Sequence, residues 1–219
     1  VGTGRKVAMA CAKRLIPCTL ELGGKDPMVV CKDANIDRAS AGAVAGALFN
    51  TGQYCCGTER IYVVEEVAEE FIANVVERVK GLRQGAEGEF DVGAIFWERQ
   101  MDLIERQVQD AVDKGAKVLA GGRRNPDLEG LFYEPTVLVD VTHEMDIMVD
   151  ETFGPVLPIM VVKDEAEAMR LANDTEYGLS SNIWTRDSGK GVKLASELDV
   201  GSCSVNDMAM AYGALEARA

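Results

Sequence analysis

Short runs rich in β-branched residues alternate with longer stretches of helical period along most of the chain, and this alternation limits the fold more than any other feature. The runs Thr19–Leu22, Met28–Cys31, Arg60–Val64, Lys117–Leu119, Thr136–Val141, Val156–Val162, Ser180–Thr185 and Ser202–Asn206 read as strands. Between them lie helical patterns at residues 5–15, at Asp33–Asn50 and at Glu66–Leu82, where Val67, Phe71, Val75, Val79 and Leu82 share one face. A fourth pattern carries Trp97, Met101, Ile104, Val108 and Val112, and a fifth runs from Ser188 to Leu198. Asp164 and Glu167 form a D-x-x-E capping box that opens a further helix. A strand that returns through a helix runs parallel to its neighbour and is covered on both faces. The expected fold class is therefore α/β: three layers, with a mostly parallel sheet flanked by helices.

Composition narrows the function classes. Hydrophobic residues make up 47% of the 219 positions, enough to build a core. The 22 glycines suit close packing of helices on strands. A net charge of −13 leaves too little clustered Lys and Arg to displace counterions from a phosphate backbone, which argues against nucleic acid and against an anionic membrane surface. No apolar run approaches the roughly 18 residues of a membrane span. The chain opens Val1-Gly2-Thr3 without a Met, so we expect it to start inside a longer gene product.

The six cysteines include no C-x-x-C pair, so neither a zinc knuckle nor any other metal site is expected. Cys11, Cys18 and Cys31 read as small core hydrophobes, and a disulfide framework is not expected. A cytoplasmic or organelle-matrix setting is the default, with cytoplasmic preferred. Trp97 and the methionines read as core or packing residues. His143, the single histidine, sits in a polar patch beside Thr142 and Glu144 and reads as non-catalytic.

Two segments could carry chemistry. In Asn50-Thr51-Gly52-Gln53-Tyr54-Cys55-Cys56-Gly57, glycines bracket two adjacent cysteines where a helix ends. Glycine permits a sharp turn that presents the next side chain, and nearby N–H groups favour a thiolate. The same pattern also suits a buried cysteine pair closing a helix. In Leu20-Glu21-Leu22-Gly23-Gly24-Lys25, Glu21 lies between leucines at the end of an expected strand. An apolar setting would raise its pKa and make it a base near neutrality. The alternative is a surface pair with Lys25.

Taken in order, these segments resemble the aldehyde dehydrogenase superfamily. Glu-Leu-Gly-Gly-Lys at 21–25, the Gly-Gln-x-Cys ending at Cys55, Glu151-Thr152-Phe153-Gly154-Pro155, Asn173–Ser180 and Gly201–Asn206 all look like family segments, and together they cover nearly the whole chain. The resemblance implies Cys55 as nucleophile, with Cys56 only a neighbour in a packing or redox role, and Glu21 as general base. It implies Glu151 and Phe153 as contacts to the nicotinamide end of NAD or NADP, with Gly4 and Leu22 also on the cofactor side. It further implies that residues 1–21 end a coenzyme-binding domain and that residues 22–219 form a catalytic domain cut short at its C-terminus.

The implied reaction oxidises an aldehyde to a carboxylic acid through a thiohemiacetal and a thioester on Cys55. The backbone N–H of Cys55 supplies one donor to the oxyanion. Tyr54 would help line the pocket, and semialdehydes are the substrate class suggested by overall resemblance. The partners are then a small aldehyde and, for the full-length parent, further copies of itself. The family's N-terminal coenzyme region precedes this chain, and Arg218-Ala219 departs from the family's Pro-Phe-Gly-Gly continuation. The chain alone is therefore expected to show little or no turnover. A CoA-acylating relative is disfavoured by Glu21, which that branch does not use as a base. A non-catalytic remnant is the reading from another class.

Overall fold

The computed structural model describes residues 1–208. The readings made at the C-terminus, from the end of the 22–219 domain to Arg218-Ala219, fall partly or wholly outside the described residues. In chain order the elements are α1 (Gly2–Ala12), β1 (Asp26–Val30), α2 (Ile36–Leu48), β2 (Thr58–Val64), α3 (Glu65–Lys80), α4 (Glu98–Asp113), β3 (Lys117–Ala120), β4 (Thr136–Val139), α5 (Asp146–Val149), β5 (Val156–Val162), α6 (Glu165–Ala172), β6 (Ser180–Trp184), α7 (Ser188–Ala195) and β7 (Ser202–Val205). A short 3₁₀ turn, Phe49–Gly52, follows α2.

The strands form one seven-stranded sheet in the order β3-β4-β5-β2-β1-β6-β7. Among the described strands of the sheet, only the β3–β4 pair is antiparallel; the other pairs are parallel. The central strand β2 is buried along its whole length. Its alternation divides the core in two: Ile61 and Val63 pack with α2 and α3 on one face, while Tyr62 and Val64 pack with residues of α4 and α6 on the other. This is the three-layer arrangement expected from the sequence.

Local chemistry fixes the helix starts. Asn35 and Asp187 cap α2 and α7 by accepting from the N–H groups of Arg38 and Lys190. Asp164 accepts from Glu167 N–H at 2.9 Å, while the Glu167 carboxylate reaches back to the N–H of Lys163 at 2.8 Å, one residue before the cap. The capping box is therefore present with its return bond shifted by one position.

Several expectations are corrected. Thr19–Leu22 forms no strand, since no described strand lies beside it to complete a ladder, and Thr19, Leu20 and Glu21 are exposed. Cys18 is exposed and Cys11 half-buried, because α1 buries only Gly4. Trp97 is 50% exposed: it caps the start of α4, outside the helix face that packs inward. Met28, Met101, Met145, Met148 and Met169 are buried, but Met9 on α1 is exposed.

No helix among the described residues is long and apolar enough to cross a membrane. The six cysteines are all free.

Candidate active site

The candidate residues sit on loops that enter parallel strands. Gly23-Gly24 precede β1, Cys55 precedes β2 and Glu151–Phe153 precede β5. In a parallel sheet the amino ends of neighbouring strands lie along one edge, so these three loops meet there because β1, β2 and β5 are adjacent. The usual ligand crevice of an open α/β sheet lies at the carboxyl ends; here the candidate site lies at the opposite edge.

One cleft of about 500 Å³ is lined by Val1, Glu21, Leu22, Gly23, Cys55, Gln100, Leu103, Glu151 and Phe153. Cys55 is exposed, so the buried-pair reading of the cysteines does not hold for it. Its sulfur lies 3.8 Å from that of Cys56. Burial, with the neighbouring Cys55 and Asp26 charges, pushes the Cys56 thiol up to about 11. The two thiols are thus unequal: one faces the cleft, the other is partly withdrawn.

The turn that presents Cys55 is strained. Asn50, Thr51 and Gly52 all adopt positive φ, which a β-branched residue such as Thr51 rarely does. Side-chain bonds hold it there. Thr51 Oγ1 accepts from Gly93 N–H at 3.0 Å, the Asn50 amide donates to the Gln53 carbonyl at 2.9 Å, and Gln53 Oε1 accepts from Phe96 N–H at 2.8 Å. A constraint of this kind at a reactive loop keeps the side chain in one place.

Glu21 lines the cleft but is exposed, so the apolar enclosure expected for it is not supplied by the described residues. It does not pair with Lys25. Lys25 is 1% exposed, and its Nζ donates to Glu59 Oε2 at 2.8 Å and to Thr152 Oγ1 at 3.0 Å. The surface-pair alternative is corrected by this inward turn.

Glu151 is half-buried, and burial raises its carboxyl pKa, with the charge of Glu59 adding to the effect. Its Oε1 accepts from Gly24 N–H at 3.3 Å. Phe153 is half-buried in the cleft with φ at 49°. Leu22 packs on the first turn of α1, where a Cβ added at Gly4 would stand 2.7 Å from Leu22 Cδ2. Gly4 is buried and does not itself line the cleft. Tyr54 does not line the cleft; its ring packs edge-on against Phe49, 5.5 Å between centroids.

Sequence reading missed Glu59, Arg60 and Gln100. Arg60 is fully buried, and its guanidinium donates to the carbonyls of Lys25, Leu171 and Ala172 and to the Tyr62 hydroxyl. The available signal was a Glu-Arg pair inside an otherwise apolar strand, since buried charges demand partners. Gln100 donates to the Thr152 carbonyl at 2.6 Å from α4. His143 is tied between Asp174 at 3.1 Å and the Tyr62 hydroxyl at 2.8 Å and lines no part of the cleft.

Among the described residues one group, Cys31, Asp33 and Glu165, has ligand atoms within 4.8 Å of one another. The Lys190 ammonium donates to both carboxylates, so a cation already stands among them.

The chain matches the aldehyde dehydrogenase family over residues 1–215. A Mycobacterium ulcerans (strain Agy99) protein named "Putative succinate-semialdehyde dehydrogenase", with NADP(+) in its name, is 43% identical over 98% of this chain, which spans 42% of that relative's length. The solved structure of "Putative Aldehyde Dehydrogenase PutA" from Anabaena variabilis superposes with a TM-score of 0.93 at 41% identity, over 96% of this chain and 46% of that one. An aldehyde dehydrogenase of Mycobacterium tuberculosis, solved in complex with NAD+, gives a TM-score of 0.91 at 34% identity, over 95% and 44% of the two chains.

Proposed function

Because the chain belongs to the aldehyde dehydrogenase family, we propose that it carries the aldehyde-oxidising centre of an NAD(P)-dependent enzyme, with Cys55 as nucleophile and Glu21 as general base. The observation that supports this most is the shared cleft: Cys55, Glu21, Glu151 and Phe153 all open onto it.

The chemistry follows from the groups present. The Cys55 thiolate attacks the aldehyde carbon, and the resulting oxyanion accepts a bond from the Cys55 backbone N–H. Loss of hydride from that carbon leaves a thioester on Cys55. Glu21 then takes a proton from a water whose oxygen attacks the thioester carbon, and the sulfur leaves as the acid departs. A nicotinamide cofactor supplies the hydride acceptor. The residues present suit its nicotinamide end: Glu151 offers a half-buried acceptor carboxylate, and Phe153, Leu22 and Leu103 offer apolar walls.

Semialdehydes are the substrate class we favour, supported by similarity to the relative that carries that name. NAD and NADP both remain in scope. Residues 1–21 are assigned to the end of a coenzyme-binding domain and residues 22–219 to the catalytic domain. The exposed apolar side chains Val7, Met9, Leu15 and Ile16 support the first assignment, since they leave apolar surface for further structure to cover. On this reading the 219 residues alone turn over slowly or not at all, because the chain spans only 42% of the length of the relative that carries NADP(+) in its name.

The test uses thiohemiacetal formation, which needs no cofactor. Alkylation of the chain with iodoacetamide, with and without succinic semialdehyde, is read site by site by peptide mass spectrometry. The aldehyde should protect Cys55 and leave the exposed Cys18 unprotected. Equal protection of both, or of neither, would overturn the assignment of the nucleophile.

A further inference from the structure

Beneath the cleft lies a pair of buried charges that the chemistry above does not use. Glu59 is 6% exposed and Lys25 is 1% exposed. The Glu59 carboxylate accepts from Lys25 Nζ at 2.8 Å, from Thr152 N–H at 2.8 Å and from Phe153 N–H at 2.7 Å. Lys25 Nζ makes a second bond, to Thr152 Oγ1 at 3.0 Å. Two consecutive amides converging on one carboxylate form an anion-binding nest, filled here by a side chain of the same molecule.

The placement explains why a charge is tolerated inside the sheet. Glu59 stands on β2, four residues after Cys55. Lys25 immediately follows Gly23-Gly24, which lead back to Glu21 and Leu22. Thr152 and Phe153 belong to the loop that enters β5. The conformation of Phe153, φ at 49°, is one that non-glycine residues seldom hold without support. The two amide bonds to Glu59 supply that support. Gln100 holds the same loop from outside through the Thr152 carbonyl.

We propose that Glu59 is a positioning residue: with Lys25 it fixes the Glu151–Phe153 loop against the Glu21–Lys25 segment, so that the cofactor side and the base side of the cleft keep one relative placement. The name given to each side rests on the functional reading above; the clamp itself does not.

Hydrogen exchange on the 219-residue chain tests it. In the unsubstituted chain the amides of Thr152 and Phe153 should exchange far more slowly than exposed loop amides; exchange at the exposed-loop rate would overturn the proposal outright. In Glu59→Gln these two amides should accelerate by about tenfold or more, as expected when charge-assisted bonds are lost, while those of Ile61–Val63 stay protected. Unchanged exchange at 152 and 153 in that variant overturns the clamp. If the single substitution also exposes β2, the double variant Lys25→Met/Glu59→Gln, which leaves no unpaired buried charge, must show the same local acceleration. Cys55 alkylation in the folded variant should stay within about twofold of the parent, because its turn is held by other bonds. In a form of the protein that turns over, Glu59→Gln should raise the cofactor KM more than it lowers kcat. An unchanged cofactor KM would count against naming that side of the cleft for the cofactor, and so against the functional reading, whereas the exchange pattern alone decides the clamp.

Discussion

Gly52 and Gly154 meet where the Cys55 turn crosses the loop entering β5: a Cβ added at residue 52 would stand 2.1 Å from the Gly154 carbonyl oxygen. The φ of Gly52 is +72°, so the position excludes a side chain on two grounds, conformation and space.

Gly52→Ala should therefore destabilise the chain by at least about 2 kcal/mol, combining left-handed strain with backbone overpacking. Thermal unfolding measures it. A variant that melts with the parent would show that the two loops do not press together as described.

The unequal thiols make an ordered prediction. At neutral pH, Cys55 and Cys18 should alkylate first, being exposed, with Cys56 and buried Cys31 lagging. Burial pushes these two thiols up to about 11 and about 12, so their alkylation should keep rising with pH and level off only in strongly alkaline solution. Peptide mapping across a pH series checks this. Cys56 reacting as fast as Cys55 at pH 7 would contradict the placement.

Asp26 links stability to pH. Its carboxyl is buried and pushed up to about 7 by desolvation, although it accepts from both the N–H and the hydroxyl of Ser180. A raised folded-state pKa means that the folded chain holds the proton more tightly than the unfolded chain. The Asp26 contribution is thus fully present below about 4 and is lost as pH rises to about 7. Relative to Asp26→Asn, the parent should lose about 1 kcal/mol or more of stability across that window. Denaturant unfolding at pH 4.5 and pH 8 measures the difference, and identical slopes for the two proteins would contradict it.

His143 should titrate below its ordinary value. Burial lowers its pKa, and the Asp174 hydrogen bond opposes that effect. Asp174→Asn should therefore move the imidazole midpoint further down. With a depressed folded-state pKa, His143 contributes stability above about 6.5 that is lost as pH falls through the folded value. NMR of the single imidazole reads the midpoint directly; an upward shift in the variant would reverse the assigned role of Asp174.

Much of the fold was legible because period and burial carry it. The helical spacing of Val67, Phe71, Val75 and Val79 matches α3, and Val156–Val162 is β5 without adjustment. Thr19–Leu22 failed because a strand exists only where a neighbour completes its ladder, which local pattern does not report. Cys11, Cys18 and Trp97 failed for a related reason: apolar character sets a preference for burial, but the packing partner decides it.

By itself the sequence determined the alternation of strands and helices, the mostly parallel sheet, and a set of motifs whose order matches the family. The alternation and the motifs are local, and the parallel sheet follows from their order along the chain, so all can be read without knowing which strands are neighbours. Only the tertiary structure decided that Lys25 turns inward to Glu59 rather than outward to Glu21, and that Glu59 holds the amides of Thr152 and Phe153. Those contacts join residues distant in the chain, and their geometry depends on strand order and register, which no single segment encodes.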